Sequence, residues 1–204
     1  MVVACTLYSK NCKELADISI VNLARYCGIH NYRMRILELD DTAWEYKRHE
    51  EFEKLCEEFG EGLIFWGKDI DTVITDMDKP ITDFLDSEHD MFICHDGFYL
   101  NIGSMLLKNT EGGRWLNKRI LELRNDFSSE QDVINSEMSN PEFASKVKVL
   151  QHPAINSFKY DEYPELKYKT TSSEGSWEKG NFLFHAAALG YEKRIELLKE
   201  KSNG

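Results

Sequence analysis

Two aspartates stand one residue apart in the stretch Leu63-Ile-Phe-Trp-Gly-Lys-Asp69-Ile-Asp71-Thr-Val-Ile74, with apolar residues before and directly after them. On a strand, alternate residues face the same side, so both carboxylates can reach one ion. Carboxylate oxygens are hard ligands that suit Mg²⁺ or Mn²⁺. A metal held at a strand tip can in turn hold a diphosphate, which points to nucleotide-sugar chemistry. Taken alone, an acidic strand end facing solvent explains the pair more cheaply. Asp76-Met-Asp78 is a rival pair, but it adjoins Lys79-Pro80 in what reads as a turn.

Other residues gain interest by their order. His185, in Gly180-Asn-Phe-Leu-Phe-His185-Ala-Ala-Ala, ends an apolar segment, where an imidazole can complete a metal shell or sit as a half-buried core histidine. In Leu100-Asn101-Ile-Gly103-Ser104, Asn101 offers a donor and an acceptor, and Gly103 permits close approach of a ligand to the backbone; an ordinary strand bend fits equally. Glu130-Gln131-Asp132 opens a helix, where acids favour the N-terminus in any case, yet a carboxylate and an amide also suit sugar hydroxyls. Lys193 and Arg194 can neutralise a diphosphate or lie solvated on a helix. His30, His49, His89 and His152 form no spacing that suggests a site, and no G-x-S-x-G, P-loop or G-x-G-x-x-G occurs.

These residues need a scaffold. The chain has 204 residues, 42% hydrophobic and 30% charged, enough for one sizeable core and a single domain over 1–204. The net charge of -11 argues against nucleic-acid or anionic-membrane partners, which want a basic face, so a pocket for an anionic substrate needs local positive charge. Cys5, Cys12, Cys27, Cys56 and Cys94 are odd in number, widely spaced and without C-x-x-C; this fits a reducing compartment rather than a zinc or disulfide framework. No apolar run approaches the ~20 residues of a membrane span, and the start lacks a signal-peptide pattern. A cytoplasmic protein is expected, and the terminal Leu197-Leu-Lys-Glu-Lys-Ser-Asn-Gly can lead into a further domain.

The pattern predicts strands over Val2–Leu7 and Tyr32–Leu39, a helix over Glu14–Cys27 capped by Gly28, and an amphipathic helix over Thr42–Phe59 ended by Gly60 and Gly62. Trp44, Tyr46, Phe52 and Leu55 lie on or near the inner face of that second helix. The aspartate-bearing strand comes next. This β-α-β-α-β order implies a parallel sheet with covering helices and ligands at the carboxyl ends of the strands, where Tyr8 and the aspartates would lie. Downstream, strands are predicted over Asp90–Cys94, Phe98–Leu107, Val147–Leu150 and Asn181–Ala187. Helices are predicted over Arg114–Arg124, Ser129–Ser136 (capped by Ser128 or Ser129) and Glu192–Lys199, with residues 151–176 loop-rich.

In this order, Phe65-Trp66-Gly-Lys-Asp69-Ile-Asp71, Leu100-Asn101-Ile-Gly103-Ser104, Glu130-Gln131-Asp132 and Gly180-Asn181-Phe182-Leu-Phe-His185 resemble the metal-dependent GT-A glycosyltransferases, specifically the retaining α-galactosyl/α-xylosyltransferase family. Thr6-Leu-Tyr8 and Asn22–Tyr26 match more loosely. The match covers most of the chain, each motif being short.

The resemblance implies an α/β GT-A fold, a mixed, mainly parallel sheet flanked by helices. It implies transfer of a sugar, with retention, from a nucleotide-diphosphate donor such as a UDP-sugar to a glycan or glycoprotein acceptor. Asp69, Asp71 and His185 would hold Mn²⁺ or Mg²⁺. Thr6, Leu7 and Tyr8 would surround the base. Asn101, Gly103, Gln131 and Asp132 would line the sugar and acceptor pocket. Apart from the resemblance, Gln131 and Asp132 are the candidate catalytic residues, with Asp132 expected to contact the reacting sugar, and Lys193 is a candidate for the diphosphate. Asn181 stands where the family has aspartate, and Ala186-Ala-Ala-Leu-Gly differs from the family's residues after the histidine. The family's membrane anchor is missing, and such a compact form is similar to glycosyltransferase domains of large algal viruses (chloroviruses), which work in host cytoplasm; a deoxysugar such as rhamnose then joins the candidate donors. The alternatives are a nucleotide-sugar hydrolase or nucleotidyltransferase on a similar sheet, and an acidic α/β interaction module without a polar pocket at the strand ends.

Overall fold

The structure, a computed structural model, describes residues 1–40, 46–95, 99–151, 153–158 and 177–202. Strands β1 (Val2–Ser9), β2 (Arg33–Leu39), β3 (Ile64–Lys68), β5 (Met91–His95), β6 (Leu100–Lys108) and β7 (Val147–Leu150) form one sheet in the order β2-β1-β3-β6-β5-β7. β1 pairs parallel with β2 and β3, and β5 with β7, whereas β6 runs antiparallel to both β3 and β5. The sheet is therefore mixed and mainly parallel, as expected.

Period-2 alternation divides its side chains between two cores. Val3, Cys5, Phe65, Met105 and Leu107 face α2 (Lys47–Phe59), α3 (Glu111–Glu122) and α4 (Glu130–Glu137). Val2, Ala4, Trp66, Phe92 and Leu106 face α1 (Lys13–His30) and Phe182. Trp66 is fully buried and its indole Nε1 donates to Ser104 Oγ at 2.9 Å, so the ring packs without orphaning its donor.

A second, two-stranded sheet carries part of the site. β4 (Thr72–Ile74) pairs antiparallel with β8 (Leu183–His185), and α6 (Tyr191–Ser202) packs over them. Helix α1 mounts β4: Ser19 Oγ donates to Thr72 O at 2.9 Å, and the Asn22 amide bonds both Ile74 O and Ile74 N. Ser19 and Asn22 are three residues apart, on one helix face.

Several elements differ from expectation. Helix α1 runs through Gly28 and ends at Asn31, which takes the left-handed conformation (φ 55°) that asparagine tolerates. α2 starts at Lys47; Trp44 and Phe98 lie outside the described residues. Gly60 (φ 68°) and Gly62 (φ 80°) do end α2 with the positive φ that glycine permits. The last strand is shorter than Asn181–Ala187, and the structure adds a one-turn helix, α5 (Pro141–Ala144). All five cysteines are free, and among the described residues no helix is long and apolar enough to cross a membrane.

Candidate metal and nucleotide-sugar site

Asp69 and Asp71 do not lie on one strand. Asp69-Ile-Asp71 is the turn that leaves the large sheet at β3 and enters the small sheet at β4. Asp69 N donates to Gly103 O (2.9 Å), and Ala186 N donates to Asp71 O (2.8 Å), so the turn is tied to β6 on one side and to the end of β8 on the other. Beneath it, the fully buried Lys68 ammonium donates to Ser19 Oγ (2.6 Å), Thr72 O (2.9 Å) and Asp69 O (3.2 Å). Burial pulls the Lys68 pKa down to about 7, against the opposing pull of Asp69 and Asp71. Alternation is thus the wrong reason for the two carboxylates to converge; the jump between sheets brings them together.

His185, at the end of β8, completes the cluster. One ligand atom from each of Asp69, Asp71 and His185 lies within 4.8 Å of the others. His185 Nε2 stands 3.2 Å from Asp71 Oδ1, and Arg194 Nη1 stands 3.1 Å from Asp71 Oδ2. Burial by itself would raise the Asp71 carboxyl; His185 and then Arg194 outweigh it and hold the group below the usual carboxylate range, at about 2. Two carboxylates and an imidazole nitrogen are a donor set that fits a divalent ion of the Mn²⁺ or Mg²⁺ type.

Two glycines open slots for these side chains. A Cβ at Gly103 would collide with His185 Cε1, so the close approach that this glycine permits is made by the histidine ring. A Cβ at Gly67 would stand 2.8 Å from Arg48 Cδ. Through that slot Arg48, buried on α2, donates to Asp69 Oδ1 and to Ile102 O. Glu130 is buried too, accepts from Tyr46 N at 3.2 Å and feels the Arg48 charge; burial raises its pKa while Arg48 opposes the rise.

A cavity of about 460 Å³ opens over these groups. Arg48, Asp69, Asp71, Glu130, His185 and Arg194 line its polar part, with Asn101 beside them. Leu7, Tyr8, Leu15, Leu39 and Ile70 line its apolar part. A larger cavity, about 800 Å³, lies at the opposite end of β4 and includes the rival Asp76 and Asp78, with no histidine among its described lining residues.

The expected residues separate. Leu7, Tyr8, Asn101, Asp69, Asp71 and His185 meet in the cavity. Thr6 is fully buried within β1 and does not line it. Gln131 Oε1 accepts from Ile102 N at 3.3 Å, supporting β6. Asp132 is exposed; its carboxylate accepts from Ser128 Oγ (2.6 Å) and Ser129 Oγ (2.8 Å), closing the N-terminus of α4. Lys193 is paired with Glu196, and the cation that reaches Asp71 is its neighbour Arg194.

Arg48, Glu130 and Arg194 carry a signal readable in sequence. Each shares a helical stripe with buried apolar residues: Arg48 with Phe52 and Leu55, Glu130 with Val133 and Ile134, Arg194 with Leu197 and Leu198. A charge on an apolar stripe is kept there by a partner. Asn156, which contacts His185, carries no such signal.

No protein-family profile matches the chain, and no curated protein matches it by sequence. Solved structures do match by fold. A glycosyltransferase involved in glycosylation of the major capsid of the virus PBCV-1 aligns with a TM-score of 0.76 at 20% identity, covering 98% of this chain and 98% of its own. The galactosyltransferase LgtC, solved with donor and acceptor sugar analogues, aligns at 0.59 and 12% identity, covering 98% of this chain and 96% of its own. The glycosyltransferase GlyE of Streptococcus pneumoniae aligns at 0.59 and 14% identity, covering 98% of this chain and 59% of its own. The chain has the GT-A glycosyltransferase fold. The likeness to glycosyltransferases of large algal viruses holds at the level of that fold.

Proposed function

We propose that this chain is a metal-dependent glycosyltransferase that moves a sugar from a nucleotide-diphosphate donor, a UDP-sugar, to a glycan acceptor with retention of configuration. The observation that carries the reading is the meeting of Asp69, Asp71 and His185 within 4.8 Å at the strand ends of a GT-A sheet. A polar cavity at that edge is also what an interaction module would lack.

Asp69, Asp71 and His185 would hold Mn²⁺ or Mg²⁺ in this site. When bound, such an ion supplies positive charge to a departing diphosphate. The remaining roles belong to side chains. Arg194 lies close enough to Asp71 to meet a diphosphate held there, and adds charge on that side. The apolar part of the cavity at Leu7, Tyr8 and Leu39 suits a planar base. Arg48 holds Asp69 in one orientation and sets a cation beside Glu130, whose buried carboxylate faces the polar part of the cavity and can accept from a sugar hydroxyl. Retention then needs no protein nucleophile, because the acceptor can attack on the face from which the diphosphate departs.

Calorimetry with UDP, in the presence and absence of Mn²⁺, tests the reading. Binding that requires the ion supports it; binding without the ion, or none, sinks it. Asp71→Ala is expected to remove the ion dependence while far-ultraviolet circular dichroism stays unchanged. Product analysis with and without acceptor sugars separates transfer from hydrolysis.

A further inference from the structure

We propose that Asn156 is a positioning residue that fixes the ring of His185, with a proton on Nδ1 and with Nε2 turned to Asp71 as the ligating atom. This rests on the metal-site reading above. The backbone N–H of Gly103 can only donate. Gly103 N donates to the Asn101 side chain at 2.8 Å, so the Asn101 atom there is its oxygen, Oδ1. The same oxygen lies 2.7 Å from the Asn156 amide. An amide oxygen cannot donate, so the Asn156 atom facing it is Nδ2. The other end of that amide is Oδ1, and it lies 3.0 Å from His185 Nδ1. Since Oδ1 only accepts, Nδ1 carries the proton.

The consequence falls on the opposite nitrogen. With Nδ1 protonated, Nε2 is left to take a second proton or a cation shared with Asp71. The neutral ring protonated on Nε2 alone is the one form the relay rejects, and that form would close the site by donating directly to Asp71. Metal-bound histidines generally donate their other ring N–H to a neighbouring acceptor, which fixes the tautomer. Asn156 is fully buried and His185 nearly so, which holds the relay in a single arrangement. The segment that supplies Asn156 is locked to β8: His185 N donates to Ser157 O at 2.7 Å, and Ser157 bridges to Phe184. Phe158 packs on the imidazole with ring centroids 4.9 Å apart.

The experiment reads the ring itself, without metal. Long-range proton–nitrogen spectra of protein with nitrogen-labelled histidine, at about pH 8, above the ordinary histidine pKa, report which nitrogen is protonated. The His185 signal is assigned by its loss in His185→Gln. Wild type should carry a proton on Nδ1. Asn156→Leu, close in volume, should carry it on Nε2 alone and bind Mn²⁺ about 10–100-fold more weakly by calorimetry. Asn156→Asp keeps an oxygen for Nδ1 and should retain both the tautomer and the Mn²⁺ affinity. A purely structural role would penalise Asp at least as much as Leu, because its second oxygen would face that of Asn101. A wild-type ring protonated on Nε2 alone overturns the proposal, as does Asn156→Leu with unchanged tautomer and affinity. If Asn156→Leu does not fold, the wild-type spectrum and Asn156→Asp decide. A wild-type ring protonated on Nδ1 in a protein that binds no Mn²⁺ overturns the metal reading, and with it the ligating role of Nε2; the spectrum distinguishes that from a failed relay.

Discussion

At the scale of single residues, the site depends on what is missing as much as on what is present. Gly103 leaves the space that the His185 ring fills. Gly103→Ala must push that ring away from Asp71 or shift β6. It is expected to cost about 1–3 kcal/mol of stability, as overpacking does, and to weaken Mn²⁺-dependent UDP binding beyond that; denaturant melts and calorimetry read the two effects separately. The acidic pair at the start of α4 divides by partner. Glu130 lines the cavity and Asp132 caps the helix through Ser128 and Ser129. Glu130→Gln should lower turnover with UDP-sugars while UDP affinity holds. Asp132→Asn should leave turnover near wild type and cost about 0.3–1 kcal/mol in a melt, the usual size of a lost negative charge at a helix N-terminus. Equal losses of turnover in the two variants would refute this division. The motif makes both acids visible in sequence. The helical stripe decides which one faces the cavity: Glu130 is on the face of Val133 and Ile134, and Asp132 is not.

At the scale of elements, α2 is held against α3 by a buried polar pair. His49 Nδ1 bonds Asn117 Oδ1 at 2.8 Å, and Asn117 Nδ2 donates to His49 O at 3.2 Å. Burial is the main cause that lowers the His49 pKa to about 4; the Asn117 bond opposes it and Arg48 assists. The folded state thus keeps His49 neutral where the unfolded chain, titrating near 6.5, would protonate it. The associated stability is present above pH ~6.5 and is lost as pH falls toward ~4, in total about 3 kcal/mol. Melts of wild type and His49→Gln across this range should converge at low pH as the wild-type advantage drains away. Parallel curves would remove His49 from the account. Because α2 also carries Arg48, acid loosening of this helix should reach Asp69 before the far edge of the sheet at β7.

At the scale of the whole molecule, the cavity is assembled from two sheets and four helices: Asp69 hangs from the large sheet, Asp71 and His185 from the small one, Leu15 from α1, Arg48 from α2, Glu130 from α4 and Arg194 from α6. A ligand that bridges them stabilises the whole, so Mn²⁺ with UDP should raise the melting temperature more than either alone. Saturation to 100 times the dissociation constant adds about 2.7 kcal/mol; additive, uncoupled shifts from ion and nucleotide would argue against a shared site. Most strands and helices, and the grouping of Asp69, Asp71 and His185, were legible in the sequence, because hydrophobic periodicity is local and motif order survives short matches. The tertiary structure alone decided that the two aspartates occupy a turn between sheets, that Arg194 rather than Lys193 meets Asp71, and that Asn156 sets the His185 ring. Those contacts join residues 29 to 123 positions apart, and only the docking of β4 and β8 beside the main sheet brings them within hydrogen-bonding distance, a packing outcome that no local pattern encodes.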